Sequence, residues 1–324
     1  MSNLSVIQTD RAPPPLIRSL LVSIAEGFNL TIQLRRVDKA TVNVMVGFFA
    51  ASTIALPEAR ILPVVIGELA NAEVPQEISL TDEDAPVNAF EQAGYELAHH
   101  GEGRWNGVAI ASRCGIGGVI TNFGEPLRPA QTSETGDDEP QAEARMIAAE
   151  CGGLHVICIY APNGRQIDSP FYHAKLAWFD RLARWIDQNI PPKASGVIGG
   201  DFNVAPADID VWDPQACDGG THVSEPERQA LAQLSSAGFV DAYRLHHPEP
   251  GRYTWWDYRA GNFHKNIGMR IDHLLVTRPL QQRVVWSEID REARKGKPLP
   301  SDHAPVVIDI DNPGHPFDAG WTSA

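Results

Sequence analysis

The stretch "GVIGGDFNVAP", Gly196 to Pro206, carries a short apolar strand straight into Asp201, Phe202 and Asn203. Side chains two apart on a strand share a face, so Asp201 and Asn203 point the same way at the place where the chain turns. Read alone, the pair is first of all an Asp/Asn-Pro turn that closes a strand. A carboxylate beside an amide at a rigid, solvent-reaching strand end is also what a catalytic site requires, and the rest of the chain has to decide.

Two more strand ends repeat the pattern. "MRIDHLLV" places Asp272 in an otherwise apolar strand, and "PSDHAPVVIDI" places Asp302 and His303 just before one. An unpaired carboxylate in an apolar strand is costly, so Asp272 calls for either an ion pair with Arg270 or a functional partner. Carboxylates are hard oxygen ligands suited to Mg²⁺ or Mn²⁺, and a histidine next to an aspartate can carry a proton or contact a phosphate oxygen. Phosphodiester hydrolysis needs an activated water, charge stabilisation on the phosphoryl oxygens and help for the leaving oxygen.

Between these ends, "GVAIAS", "HVICIYAP" and "RIDHLLVT" read as buried strands. "PFYHAKLAWFDRLARWIDQNI" reads as a helix, with Phe171, Leu176, Phe179, Leu182, Trp185 and Ile186 at helical spacing, and "PERQALAQLSSAG" as a second that ends at a glycine. The strands are not separated regularly by helices. Packed, mostly antiparallel sheets covered by helices are therefore expected rather than a doubly wound parallel sheet.

The 324 residues, 43% hydrophobic and 21% charged, are those of an ordinary globular protein with room for one large core or two smaller ones. The four cysteines show no CxxC or CxxH spacing and read as reduced packing residues. No run is long and apolar enough to cross a membrane and no leader is evident near the N-terminus, so a cytoplasmic protein is the expectation. A net charge of −14 argues against a protein that coats nucleic acid indiscriminately. Arg259 to Lys297 nonetheless holds nine Lys/Arg against four Asp/Glu. That excess is compatible with steering a polyanion to one site, and equally with a solvated mixed-charge surface. The acidic, aromatic-free stretch Ser133 to Ala144 is the expected loop.

The ordered set "YAPNG" at Tyr160, "GDFN" at Asp201, "THVSEPER" at Thr221, "YTWWDYR" at Tyr253, "GMRIDHLL" at Gly268 and "SDHAP" at Ser301 resembles the exonuclease III branch of the endonuclease/exonuclease/phosphatase superfamily. The likeness runs from about Gln76 to Ile310. It implies an α+β fold, a four-layer α/β/β/α sandwich like that of deoxyribonuclease I, with two packed mixed sheets flanked by helices. It also implies a single Mg²⁺-dependent site, with Mn²⁺ as a substitute, that cuts double-stranded DNA on the 5′ side of abasic residues and trims 3′ ends. The nuclease is expected to be a monomer that acts on the nucleoid and not at a membrane.

Carried over position by position, the resemblance gives Asp201 the attacking water and Asn203 a hold on substrate and water. His303 would contact the scissile phosphate, Asp272 would orient it, and Tyr160 would lie near that phosphate. Glu77, in "PQEISL", stands 18 residues before Tyr95, in keeping with the family's spacing, and is the expected metal ligand, with Asp302 also at the metal. Asn43, in "KATVNV", is the candidate for the family's first-strand asparagine, although it lies 34 residues before Glu77, farther than the family pattern. Arg145 would lie on the DNA side, and Trp255, Met269 and Ile271 would wall a pocket for a base-free sugar. Lys265, Lys295 and Lys297 are candidates for backbone contacts.

The stretch from Met45 to Val74 does not read as the expected helix and buried strand, and Ser79 replaces the lysine expected after "QE". The expected organisation is an extension over residues 1–38, a nuclease domain over 39–312 and a tail over 313–324. Two alternatives remain: a phosphodiesterase or phosphatase of the same superfamily on a small substrate, and a catalytically impaired DNA-binding homologue with an atypical N-terminal half.

Overall fold

The computed structural model describes residues 32–36, 42–46, 49–56, 59–67, 87–92, 94–101, 106–125, 143–295, 300–311 and 318–321. Strands β1 (Ile32–Arg36) and β2 (Val42–Val46) pair antiparallel in a two-stranded sheet of their own. The remaining described strands are β3 (Phe49–Leu56), β4 (Ala59–Gly67), β5 (Glu96–Gly101), β6 (Asn106–Ser112), β7 (Gly117–Thr121), β8 (Met146–Cys151) and β9 (Leu154–Tyr160). They continue with β10 (Gly196–Asp201), β11 (Phe239–Asp241), β12 (Asp272–Thr277), β13 (Val284–Ile289) and β14 (Val306–Ile310).

These build two six-stranded sheets, ordered β11-β12-β10-β9-β8-β7 and β13-β14-β3-β4-β6-β5. Pairing is antiparallel except for β9 with β10 and β14 with β3. The span from Met45 to Val74, which lacked a helical reading, contains β3 and β4 as neighbouring antiparallel strands joined by two residues.

Strand alternation produces the layers. In β8 and β9, Ile147, Ala149, Val156 and Cys158 face a core shared with Val108, Ile110, Val306 and Ile308 of the other sheet. Their alternates Met146, Ala148, Ile157 and Ile159 face Phe179, Leu182 and Ile186 of the helix Pro170–Asn189 and Leu231 and Leu234 of the helix Glu225–Ser236. On the far side, Phe90 of the short helix Val87–Gln92 packs with Tyr95, Ala109 and Ala111. Helix, sheet, sheet and helix make the four-layer sandwich expected from the motifs.

Both long helices begin where the sequence supplies a cap. Ser169 accepts the Tyr172 N–H before Pro170, and Ser224 with Glu227 forms a capping box before Pro226. Among the described residues no helix is long and apolar enough to cross a membrane. The cysteines form no disulfide among the described residues; Cys151, Cys158 and Cys217 are buried and Cys114 partly so.

Part of the basic charge of Arg259–Lys297 is engaged internally. Arg259 pairs with Asp257, Arg270 with Asp210 and Asp241, Arg283 with Asp311 and Lys295 with Glu292. Arg291 and Arg294 lie over the rings of Phe263 and its aromatic neighbours. The sequence count therefore overstates a free basic face: Asp210, Asp241 and Asp311 come from distant parts of the chain, while Asp257 and Glu292 are near neighbours.

Candidate active site

Asp201 is the last residue of β10, and register sets it beside Tyr160, the last of β9, and Asp272, the first of β12. One edge of the sheet thus collects all three. His303, from the loop before β14, reaches this edge through a bridge to Trp255 and turns its Nδ1 to Asp272, 2.9 Å from Oδ2 and 3.1 Å from Oδ1. Ligand atoms of Asp201, Asp272 and His303 all lie within 4.8 Å of one another, a group able to hold a metal ion.

The chain turns at Asn203 with φ 52°, a left-handed conformation that asparagine tolerates better than most residues. That turn folds the amide back on the carboxylate. Its backbone N–H donates to Asp201 Oδ1 at 2.7 Å, and Nδ2 donates to Asp201 Oδ2 at 2.9 Å and to the Ala161 carbonyl at 3.0 Å. The strand-ending turn and the polar site are therefore the same feature.

Burial, with the neighbouring Asp272 charge, pushes the Asp201 carboxyl up to about 7. Burial alone would lower His303, but the Asp272 carboxylate at hydrogen-bond distance, with Asp302 and Asp201 nearby, raises its imidazole to about 10. The pair of environments sets a carboxylate that can take a proton near neutrality beside an imidazolium that keeps one. Burial also pushes the Tyr160 phenol up to about 12, against the pull of Arg145, whose guanidinium lies 4.7 Å over its ring. Arg145 further donates to the Tyr160 carbonyl at 3.2 Å and pairs with Glu143.

Trp255, Met269 and Ile271 come together with Val211, Cys217 and Val223 in one apolar cluster. Trp255 and Met269 exchange backbone hydrogen bonds of 2.9 and 3.0 Å. Trp255 Nε1 donates to Asp302 Oδ2 at 2.9 Å, which ties the apolar wall to the acidic edge. Its neighbour Trp256 is fully buried in the core between the sheets. Gly268 is required here, because a Cβ would lie 2.6 Å from Trp256 Nε1 and 2.7 Å from the Trp255 carbonyl oxygen.

The ion pair of Asp272 with Arg270, open on the sequence, does not form. Arg270 is buried instead between Asp210 and Asp241, each at 2.7 Å, and donates to His273 Nδ1 at 2.8 Å. Burial, reinforced by the Arg270 charge, pushes His273 down to about 4, and its Nε2–H donates to the Val204 carbonyl at 2.9 Å. This network fixes the loop after Asn203 from below and leaves Asp272 to His303.

Asn43 lies in β2, opposite Arg35 in the two-stranded sheet, and not in either six-stranded sheet. Glu77 and Lys297 lie outside the described residues, as does most of the acidic stretch 133–144. The structure adds two residues that the sequence reading passed over. Asn163 of "YAPNG" sends Nδ2 toward Asn203 Oδ1 at 3.4 Å, and the buried Lys175 holds the Asn203 carbonyl at 2.7 Å. The only sequence signal for Lys175 is a lysine on the apolar stripe of its helix, three residues after Tyr172 and four before Phe179.

An acidic edge, a paired imidazole and two amides beside an apolar wall make a site for phosphodiester hydrolysis. The family model described as Endonuclease/Exonuclease/phosphatase family matches residues 76–303, and the chain belongs to that family. Its relatives narrow the class. Exodeoxyribonuclease III of Haemophilus influenzae is 30% identical over 246 residues, 71% of this chain and 86% of its own. Among solved structures, an AP endonuclease from Archaeoglobus fulgidus has 34% identity and a TM-score of 0.64, with 72% of this chain and 86% of that one covered. A 3′ phosphatase from Neisseria bound to a product DNA hairpin has 36% identity and a TM-score of 0.64 over the same shares. Within the family the chain groups with the exonuclease III branch, as its motifs imply, and is a phosphodiester hydrolase.

Proposed function

We propose that this chain is a divalent-metal-dependent DNA repair nuclease that hydrolyses the phosphodiester on the 5′ side of abasic residues and trims 3′ ends. The observation that carries the reading is the gathering of Asp201, Asp272 and His303 within 4.8 Å at one sheet edge, with the Asn203 amide bonded to Asp201. The activities of its relatives, an exodeoxyribonuclease III, an AP endonuclease and a 3′ phosphatase bound to DNA, favour this substrate over a small phosphodiester.

Ionised Asp201 accepts a proton from the attacking water as that oxygen approaches phosphorus. His303, protonated below about 10, donates to a phosphoryl oxygen that gains charge, and Asp272 holds the ring in that orientation. Asn163 supplies an amide donor at the same phosphate, Asn203 holds the Asp201 carboxylate in place, and Tyr160 lines the site. Arg145 meets the DNA backbone. Trp255, Met269 and Ile271 receive a sugar without its base, and an intact nucleotide is rejected by size.

Asp302, tied to this edge by Trp255 Nε1 at 2.9 Å, offers the hard carboxylate oxygens that suit Mg²⁺ or Mn²⁺. Asp302 and Glu77, with Asn43 as the further candidate, would hold the ion. Such an ion supplies Lewis-acid stabilisation of charge on the departing 3′ oxygen.

The test is a duplex oligonucleotide carrying one tetrahydrofuran abasic analogue, incubated with the protein and Mg²⁺ or EDTA beside an Asp201→Ala control. Metal-dependent cutting 5′ to the analogue, absent from the control, is expected. An uncut duplex from folded protein would reject the reading in favour of the impaired homologue.

A further inference from the structure

We infer that Lys175 is a positioning residue of this site, its ammonium clamping the two asparagines whose amides line the catalytic edge; the inference rests on the nuclease reading above. Lys175 and its partner Glu227 are both wholly buried, with side-chain exposures of 0%. An ammonium has three N–H donors, and here each finds an acceptor: the Asn203 carbonyl at 2.7 Å, the Asn163 carbonyl at 3.2 Å and Glu227 Oε1. His222 Nδ1–H adds a second donor to the Asn203 carbonyl at 2.6 Å.

Both clamped residues turn their side chains into the catalytic edge. Asn203 Nδ2 reaches Asp201 Oδ2 at 2.9 Å, and Asn163 Nδ2 reaches toward Asn203 Oδ1 at 3.4 Å. The Asn203 backbone is left-handed, a conformation that persists where its surroundings enforce it. The loop at Gly164, with φ 88°, wraps so closely that an added Cβ would lie 3.0 Å from Lys175 Cδ.

The other end of the clamp is equally fixed. Glu227 accepts from the Thr221 hydroxyl at 2.9 Å, the His222 N–H at 3.0 Å and the Ser224 hydroxyl at 2.6 Å. Helix Glu225–Ser236 is thereby connected through one ion pair to two strand-end loops of the site. An apolar residue between Tyr172 and Phe179 would fill the same stripe, and a buried ion pair contributes little stability beyond such a replacement. What the pair provides and a leucine or methionine would not is a fixed position for two carbonyls.

The test uses Lys175→Met/Glu227→Gln, which removes both charges at similar volume, with thermal melting to establish folding. A crystal structure of the variant is expected to show Asn163 and Asn203 displaced, Asn203 leaving its left-handed conformation. Single-turnover incision of the abasic-analogue duplex should fall about 10–100-fold, as small misplacements of reacting groups do. The duplex Kd measured in EDTA should stay within about threefold, because binding to the backbone is spread over many contacts.

In an Asn163→Ala/Asn203→Ala background the same pair of changes should cost less than about threefold, since the positioned amides are already gone. Asparagines that stay in place, or an equal loss in both backgrounds, overturns the inference. Glu227→Gln alone is the second variant, expected to give a several-fold loss that the same background absorbs. If the unmodified chain fails to cut the duplex, the nuclease reading falls, and the asparagine positions in the variant still decide whether Lys175 is their clamp.

Discussion

Asp272 and His303 meet at 2.9 Å from Nδ1 to Oδ2, although 31 residues separate them and they reach the site from different sheets. The pairing fixes the ring and stabilises its charged form. It also makes the role of Asp272 measurable through the imidazole alone.

Asp272→Asn removes the charge that raises His303, so the imidazole should titrate closer to its ordinary value of 6.5 rather than about 10. Activity needs the protonated ring and is lost as pH rises through its pKa. The alkaline limb of the rate profile should therefore move down by more than one pH unit, with about 10–100-fold lower kcat at pH 8. An unmoved limb would remove His303 from that role.

Asp201 is shifted in the same direction as His303, and its shift is read in stability. Its folded-state value of about 7 lies above the ordinary 3.8, so the stability its protonation contributes is full below 3.8 and lost as pH rises through about 7. Asp201→Asn should raise the melting temperature at pH 8, by about 2–4 °C for each kcal/mol of relieved repulsion, while it lowers incision by about 10²–10⁴-fold. Melting curves at pH 5 and pH 8 check the sign, because the gain should shrink at the lower pH.

Arg270→Met removes the guanidinium from Asp241 and leaves the buried Asp210 to Arg244 alone. Breaking a buried pair costs about 3–5 kcal/mol, so the denaturation midpoint should drop sharply. Activity of the surviving folded fraction should stay within about tenfold, because Asp272 is bonded to His303 and not to Arg270.

Gly268→Ala inserts a methyl 2.6 Å from Trp256 Nε1 and 2.7 Å from the Trp255 carbonyl oxygen, where the backbone cannot give way. Overpacking of this kind costs about 1–3 kcal/mol. The displaced Trp255 wall should also weaken discrimination between abasic and intact duplex, read as the ratio of the two kcat/KM values.

The strand ends were legible in the sequence because strand alternation and turn chemistry are local. "GDFN", "RIDH" and "SDHAP" fixed which carboxylates, amide and imidazole end a strand, and the ordered motifs fixed the family and its sandwich. The grouping of Trp255, Met269 and Ile271 came from the resemblance, within one pair of motifs, and the three do pack in one apolar cluster. The partner of each charge was not legible. Arg270 lies two residues from Asp272 and yet serves Asp210 and Asp241, and Lys175 on an apolar helix stripe serves a loop 28 residues on. In the basic stretch Arg259–Lys297, the distant partners of Arg270 and Arg283 were hidden for the same reason.

Sequence spacing determines what a residue can offer its own strand or helix. Which buried donor meets which acceptor is decided when the layers pack. A charge taken out of water must find its partner among whatever the tertiary fold brings within about 3 Å, at whatever distance along the chain that partner lies.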